Sequence, residues 1–226
     1  MRTELLIGGE WRQGSEDGRI GVLDPATDEQ IAEIADGTTT DAVTACDAAE
    51  EAQAKWAREA PRVRSEILRN CWKIMIDHTD ELAELIVREH GKPMGDAKGE
   101  IAYSAEFFRW NAEETVRIRG EVATAPSGLN KMIIGHQPIG VVAIITPWNF
   151  PAAMITRKLA PALGAGNAAV IKPPKETPLT ALRIGELLLE AGIPKGLVNI
   201  VPTSKSGDWL DAVVDHRAVR MLSFTG

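Results

Sequence analysis

The chain has 226 residues, with 25 Lys and Arg against 32 Asp and Glu, for a formal net charge of −7. Hydrophobic residues make up 44% and charged residues 25%, the balance of a globular chain that can bury a core without staples. The acidic balance argues against nucleic-acid binding, which needs a cationic surface, and two cysteines are too few for a disulfide scaffold or a zinc site of the usual kind.

The N-terminus carries only a short apolar run, Leu5-Leu6-Ile7, which is too brief for a signal peptide. No stretch approaches the roughly 18 apolar residues of a membrane span. With so few cysteines, the expected compartment is the cytoplasm. Strand-like pieces are expected at Leu5–Ile7 and Ile31–Ile34, separated by turns at Gly8-Gly9, Gly14-Ser15, Asp17-Gly18 and Asp24-Pro25. Thr40 is placed to cap a helix whose Ala42, Ala45, Ala49, Ala52 and Trp56 recur at helical spacing. Pro61 opens a second helix with Ile67, Leu68, Cys71, Trp72 and Met75 on one stripe. Thr79 or Asp80 caps a third, which stops at Gly91. A fourth spans about Asp96 to Val116.

At Gly120 the pattern changes. Glu121–Thr124 and Lys131–Gln137 read as two strands around the turn Pro126-Ser127-Gly128. A regular alternation follows: strand Val141–Ile145, helix Pro151–Leu163, strand Ala168–Ile171, and a helix from a Thr177 cap to Ala191. Strand Leu197–Val201, helix Gly207–Val214 and strand Val219–Phe224 complete it. Short apolar strands alternating with helices predict a parallel sheet covered on both faces. Such sheets bind ligands beyond the carboxyl ends of their strands. The informative residues should therefore follow Ile145, Ile171, Val201 and Phe224.

Beyond Ile145 comes Thr146-Pro147-Trp148-Asn149-Phe150-Pro151, a loop stiffened by two prolines. There Asn149 either satisfies local backbone or offers an amide to a developing oxyanion. Beyond Ile171 comes Lys172-Pro173-Pro174-Lys175-Glu176-Thr177-Pro178, either a solvated basic loop or a place to meet ribose and phosphate. Gly164-Ala165-Gly166 follows a helix rather than a strand and lacks a third glycine. It reads as a helix terminator, not a dinucleotide fingerprint. Cys46 and Cys71 fall in amphipathic stripes and read as core residues. The four histidines have no metal-ligand spacing, and no metal is expected.

Ile145–Pro151 and Lys172–Pro178, with Phe224-Thr225-Gly226 at the right distance, resemble the aldehyde dehydrogenase superfamily. Glu89-His90-Gly91-Lys92-Pro93 is similar to the family's Glu-x-Gly-Lys-Pro turn, and Ala162–Asn167 to its small-residue helix end. The likeness covers the whole chain. It implies an α/β fold, with a Rossmann-like parallel sheet covered by helices, an N-terminal helical segment and a two-stranded oligomerisation arm. The implied divisions are 1–119 for the N-terminal strands and helices, 120–138 for the arm, and 139–226 for the cofactor-binding core.

The resemblance also implies roles. Asn149 is the side-chain half of an oxyanion hole, and Lys158 the buried lysine near the proton-relay path. Thr146, Pro147, Trp148, Asn149, Lys172, Pro173, Pro174, Lys175 and Gly226 belong to the cofactor site, with Lys172 bonding the adenosine ribose. The family's cysteine nucleophile and general-base glutamate would lie beyond Gly226. The chain is therefore expected to be the N-terminal half of an enzyme about twice as long, inactive alone and a homodimer or homotetramer when whole.

Two departures from the family pattern bear on specificity. Lys175 stands where NAD-preferring members often carry a glutamate, which favours NADP and leaves NAD open. Thr203–Gly207 replaces a glycine-richer loop, which leaves the phosphate contacts there undefined. The stretch Asn149–Lys158 is similar to that of succinate-semialdehyde dehydrogenases. In it Arg157 is placed to hold an anionic substrate tail, unless it pairs with a surface acid. Two rival readings stand beside this one: an aldehyde dehydrogenase for another aldehyde, and a non-catalytic dinucleotide-binding or assembly module.

Overall fold

The computed structural model describes residues 2–226. Ten strands and seven helices occur among them. The N-terminal strands are β1 (Leu5–Ile7), β2 (Glu10–Arg12), β3 (Arg19–Leu23) and β4 (Gln30–Ala35). Helices α1 (Thr39–Trp56), α2 (Pro61–Asp77), α3 (Thr79–His90) and α4 (Met94–Thr115) follow, then the hairpin β5 (Glu121–Thr124) and β6 (Lys131–Ile134). The C-terminal part runs β7 (Val141–Ile145), α5 (Ala153–Gly164), β8 (Ala168–Lys172), α6 (Pro178–Glu190), β9 (Val198–Ile200), α7 (Ser206–Val214) and β10 (Val219–Phe224).

The main sheet has the order β10-β7-β8-β9-β1-β2. Strands β10, β7, β8 and β9 are parallel, as the alternation of strand and helix predicts. The sheet is nevertheless mixed, because β1 pairs antiparallel with β9 and β2 antiparallel with β1. Gly8 and Gly9 make this extension possible. Both take positive φ (66° and 78°), the conformation of a two-residue hairpin turn that bulkier residues resist. Strand β3, which the sequence reading did not anticipate, forms a separate hairpin with β4.

The chain steps from β7 through β8 to β9, then jumps back across the sheet to β10. Right-handed crossovers put α5 and α6 on one face and α7 on the other. Helix α1 packs beside α7, and α2, α3 and α4 form an outer layer over α5 and α6. One hydrophobic cluster runs through these layers, with Trp56, Phe108 and Trp209 among its largest fully buried side chains. Among the described residues no helix is long and apolar enough to cross a membrane.

Several helix starts differ from the sequence reading, each for an identifiable reason. Helix α1 is capped by Thr38, not Thr40: Thr38 Oγ1 accepts from the Asp41 amide, and the Asp41 carboxylate accepts from the Thr38 amide. Helix α3 has no side-chain cap at its own start. There the Thr79 hydroxyl donates back to the Ile76 carbonyl, while Asp80 pairs with Lys98. Thr177 precedes α6, but its hydroxyl makes no hydrogen bond. Helix α5 begins at Ala153 rather than Pro151, with Ala152 at a cap position that lacks a polar side chain. Both α5 and α6 are capped instead from the outer helical layer. Pro61 does open α2, and Gly91 does end α3 in the left-handed region at φ 79°. Strand β6 stops at Ile134, short of the expected Gln137.

Candidate active site

The carboxyl ends of β10, β7, β8 and β9 lie side by side, and backbone hydrogen bonds continue the sheet just past them. The Thr225 amide donates to the Ile145 carbonyl (3.2 Å), Thr146 to Lys172 (3.4 Å) and Val201 to Ile171 (2.9 Å). This brings Thr146–Phe150, Lys172–Lys175 and Thr225-Gly226 to one edge. The strand order reverses at β7, so the edge between β7 and β10 is a topological switch point, where open α/β sheets bind ligands.

Asn149 is exposed at this edge. Its backbone carbonyl accepts from Lys92 Nζ at 3.1 Å, and no described residue hydrogen-bonds its side-chain amide. The alternative of an amide consumed by local backbone is therefore not realised. Trp148, also exposed, leans on the His90 ring with centroids 5.7 Å apart. Both His90 ring nitrogens are buried without partners, and burial holds this imidazole below its ordinary pKa. Pro147 is half-buried, and Pro173 and Pro174 are buried, which fixes the walls of the loops.

Lys172 is 7% exposed, yet the closest partner of its ammonium is the Pro173 carbonyl at 3.5 Å. Burial lowers its pKa, Glu176 pulls the other way, and Lys175 adds to the lowering. Beside it Thr146 Oγ1 is buried without any partner. A nearly buried cation and an orphaned hydroxyl on adjacent strands are the groups a ribose diphosphate would satisfy, so the residues present fit a dinucleotide. Lys175 is exposed and, with Glu176 and Ser204, lines a cavity of about 580 Å³ against the β3–β4 hairpin. The loop after β9 is tied to that hairpin, since the Ser204 amide and hydroxyl both donate to the Asp36 carboxylate. Gly226 is exposed at the end of the edge.

Arg157 and Lys158 lie one turn into α5. The Arg157 guanidinium reaches toward the helix N-terminus, 3.9 Å from Met154 Sδ and 5.9 Å from the Phe107 ring centroid. Among the described residues no carboxylate pairs with it. Lys158 is half-buried rather than buried, and its Nζ donates to Ser223 Oγ of β10 at 3.2 Å. Burial lowers its pKa, with Arg157 as a second cause. Both lysine and arginine line a cavity of about 450 Å³ between α5 and β10.

Two further residues belong to the site. Glu89 is buried, and its two oxygens accept from the amides of Leu179 (2.7 Å) and Thr180 (2.9 Å). Glu100 is buried as well. Its Oε1 accepts from Ala152 and Ala153 (2.9 and 3.2 Å), and its Oε2 accepts from Lys92 Nζ at 2.5 Å. Each carboxylate thus caps the helix that follows one of the two site loops. A signal was present in the sequence. Glu89 continues the buried stripe Leu82–Ile86, and Glu100 lies between the buried Ala97 and Ile101. An acid on an apolar stripe needs a partner. Cys46 and Cys71 are buried, and burial pushes both thiols up, Cys46 to about 12, which makes them poor nucleophiles at neutral pH.

The whole arrangement is that of an open α/β sheet with a cation, a free amide and two stiff loops gathered at its switch point. The sequence pattern of the aldehyde dehydrogenase family matches residues 11–226, and the chain belongs to that family. It is 43% identical over its full length to the Escherichia coli (strain K12) protein named succinate-semialdehyde dehydrogenase (NADP(+)) GabD, covering 47% of that protein. It is 44% identical, again over its full length and 47% of the relative, to glutarate-semialdehyde dehydrogenase of Pseudomonas putida. Among solved structures it matches an E. coli NADP-dependent enzyme with a TM-score of 0.97 and 43% identity, over all of this chain and 47% of that one. The chain spans about half the length of the relatives it matches.

Proposed function

We propose that this chain is the cofactor-binding half of an NAD(P)-dependent aldehyde dehydrogenase that oxidises succinate semialdehyde to succinate. In the reaction the aldehyde carbon loses a hydride to the dinucleotide and gains an oxygen from water. The bound dinucleotide supplies the hydride acceptor. Asn149 donates its amide hydrogen bond to the carbonyl oxygen as that oxygen gains charge, a contribution worth about 10²–10³ in turnover where such donors have been removed. Lys172 and Thr146 hold the ribose and phosphate side, and Trp148 with Pro147 shapes the cleft. Lys175 favours NADP. We place the whole enzyme in the cytoplasm, as a homodimer or homotetramer.

The observation that carries the substrate assignment is Arg157. It has no carboxylate partner among the described residues and leans back along the helix that begins just after Asn149. An exposed guanidinium without a carboxylate partner, on the helix that follows the Asn149 loop, suits a substrate with a carboxylate opposite its aldehyde. The Pseudomonas putida relative supports a second reading with the same chemistry and one more carbon, glutarate semialdehyde. In the whole enzyme, Arg157→Leu is expected to raise KM for succinate semialdehyde by about tenfold or more, the loss of a charged hydrogen bond, and to leave an uncharged aldehyde of similar size nearly unaffected. Equal effects on both substrates would overturn the assignment. A larger effect on the five-carbon semialdehyde would select the second reading.

A further inference from the structure

The loop that presents Asn149 is held by side chains from outside it. Helix α5 starts at an alanine and has no cap of its own, so its first amides depend on Glu100 Oε1, across from α4. The other oxygen of Glu100 binds Lys92 Nζ, which also donates to the Asn149 carbonyl at 3.1 Å and sits 4.0 Å from the Phe150 ring centroid. The loop is therefore gripped at Asn149 and at Ala152-Ala153, one grip on each side of Phe150-Pro151. Both grips meet at a single carboxylate. The side chains of Glu100 and Lys92 are 1% and 11% exposed, so the pair works away from water, where its Coulomb attraction is strong.

We propose that Glu100, through Lys92, is the positioning residue that aims the Asn149 amide at the reacting oxygen. This rests on reading Asn149 as the oxyanion donor. The rival is a plain helix cap, in which Glu100 stabilises α5 and Lys92 merely neutralises it. The two differ in what Glu100→Gln removes. The amide keeps an oxygen for Ala152 and Ala153, so the cap survives, but the charge that tethers Lys92 is gone.

Misplacing a catalytic group by about 1 Å costs roughly 10²-fold in rate. In the whole enzyme, Glu100→Gln is expected to lower kcat for succinate semialdehyde by about tenfold to a hundredfold on that basis. KM for the dinucleotide should stay near wild type. Lys92→Met attacks the same tether from its other end and decides the matter if Glu100→Gln does not fold. The decisive measurement is a double-mutant cycle with Asn149→Ala. A residue acting through Asn149 adds almost nothing, less than about twofold, once that amide is gone. A kcat within twofold of wild type in the single variants, or an undiminished further loss on the Asn149→Ala background, would overturn the proposal. Those results require an active wild-type enzyme. A wild type inert toward aldehydes would instead overturn the functional reading, and with it the role given to Asn149.

Discussion

Lys172 and Lys175 leave the same loop and meet different surroundings. Lys172 is drawn under the sheet edge with its pKa lowered by burial, whereas Lys175 stays in solvent at the rim of a cavity. The first suits a fixed contact made with any dinucleotide. The second suits a group that distinguishes a phosphate from a hydroxyl, because only the phosphate carries charge for an exposed ammonium to find. Lys175→Glu in the whole enzyme should therefore shift the ratio of NADP to NAD dissociation constants toward NAD by about tenfold or more. Fluorescence titration with each dinucleotide measures it, and an unchanged ratio would show that Lys175 takes no part. The positions of Asn149 and Lys172 just past two strand ends are legible in the sequence, whereas the roles given to them and to Arg157 come from the family resemblance. Glu89 and Glu100 were not given a role, because their partners lie in loops far along the chain.

At the scale of elements, periodicity located all seven helices, and the apolar runs located the parallel strands. Helix starts were the weak point, and the cause is physical. Local rules place a capping oxygen next to the first turn, as Thr38 and Asp41 are for α1, but α5 and α6 take theirs from α3 and α4. Strand β3 leaves little trace in the sequence because its inward residues are only Ile20 and Val22, too short an alternation to stand out. The long-range cap on α6 has a pH signature. Burial raises the Glu89 carboxyl from 4.5 to about 7, against the hydrogen bonds from Thr180 and Leu179 that lower it and with Glu100 adding to the rise. Its folded pKa thus exceeds its unfolded one, so the folded state binds the extra proton between these values. Stability from this group falls as pH rises from 4.5 through 7. Relative to Glu89→Gln, which cannot titrate, the whole enzyme should therefore melt higher at pH 5 than at pH 8. A difference in melting temperature that does not change with pH would refute this.

At the scale of the molecule, one element stands apart from the common core. The β5–β6 hairpin pairs only with itself, and Val122, Leu129 and Ile133 are 74%, 85% and 82% exposed. A two-stranded ribbon is marginal in water, and its outer edges offer unpaired backbone groups. These facts support an arm that completes itself on a neighbouring subunit. Replacing Val122 and Ile133 together by Asp in the whole enzyme should reduce the sedimenting mass without altering the circular dichroism of the core. An unchanged mass would remove the arm from the assembly. The contrast with the segment from Glu89 to Glu100 has a consequence for how such a chain can change over generations. That segment turns at Gly91 and carries one anchor for each site loop, so its length is a ruler that sets the two loops at a fixed offset. Adding or dropping a residue there would move one anchor off its loop. The turn at Pro126–Asn130 carries no such anchor and is free to lengthen, so insertions should accumulate in the arm and be purged from the ruler.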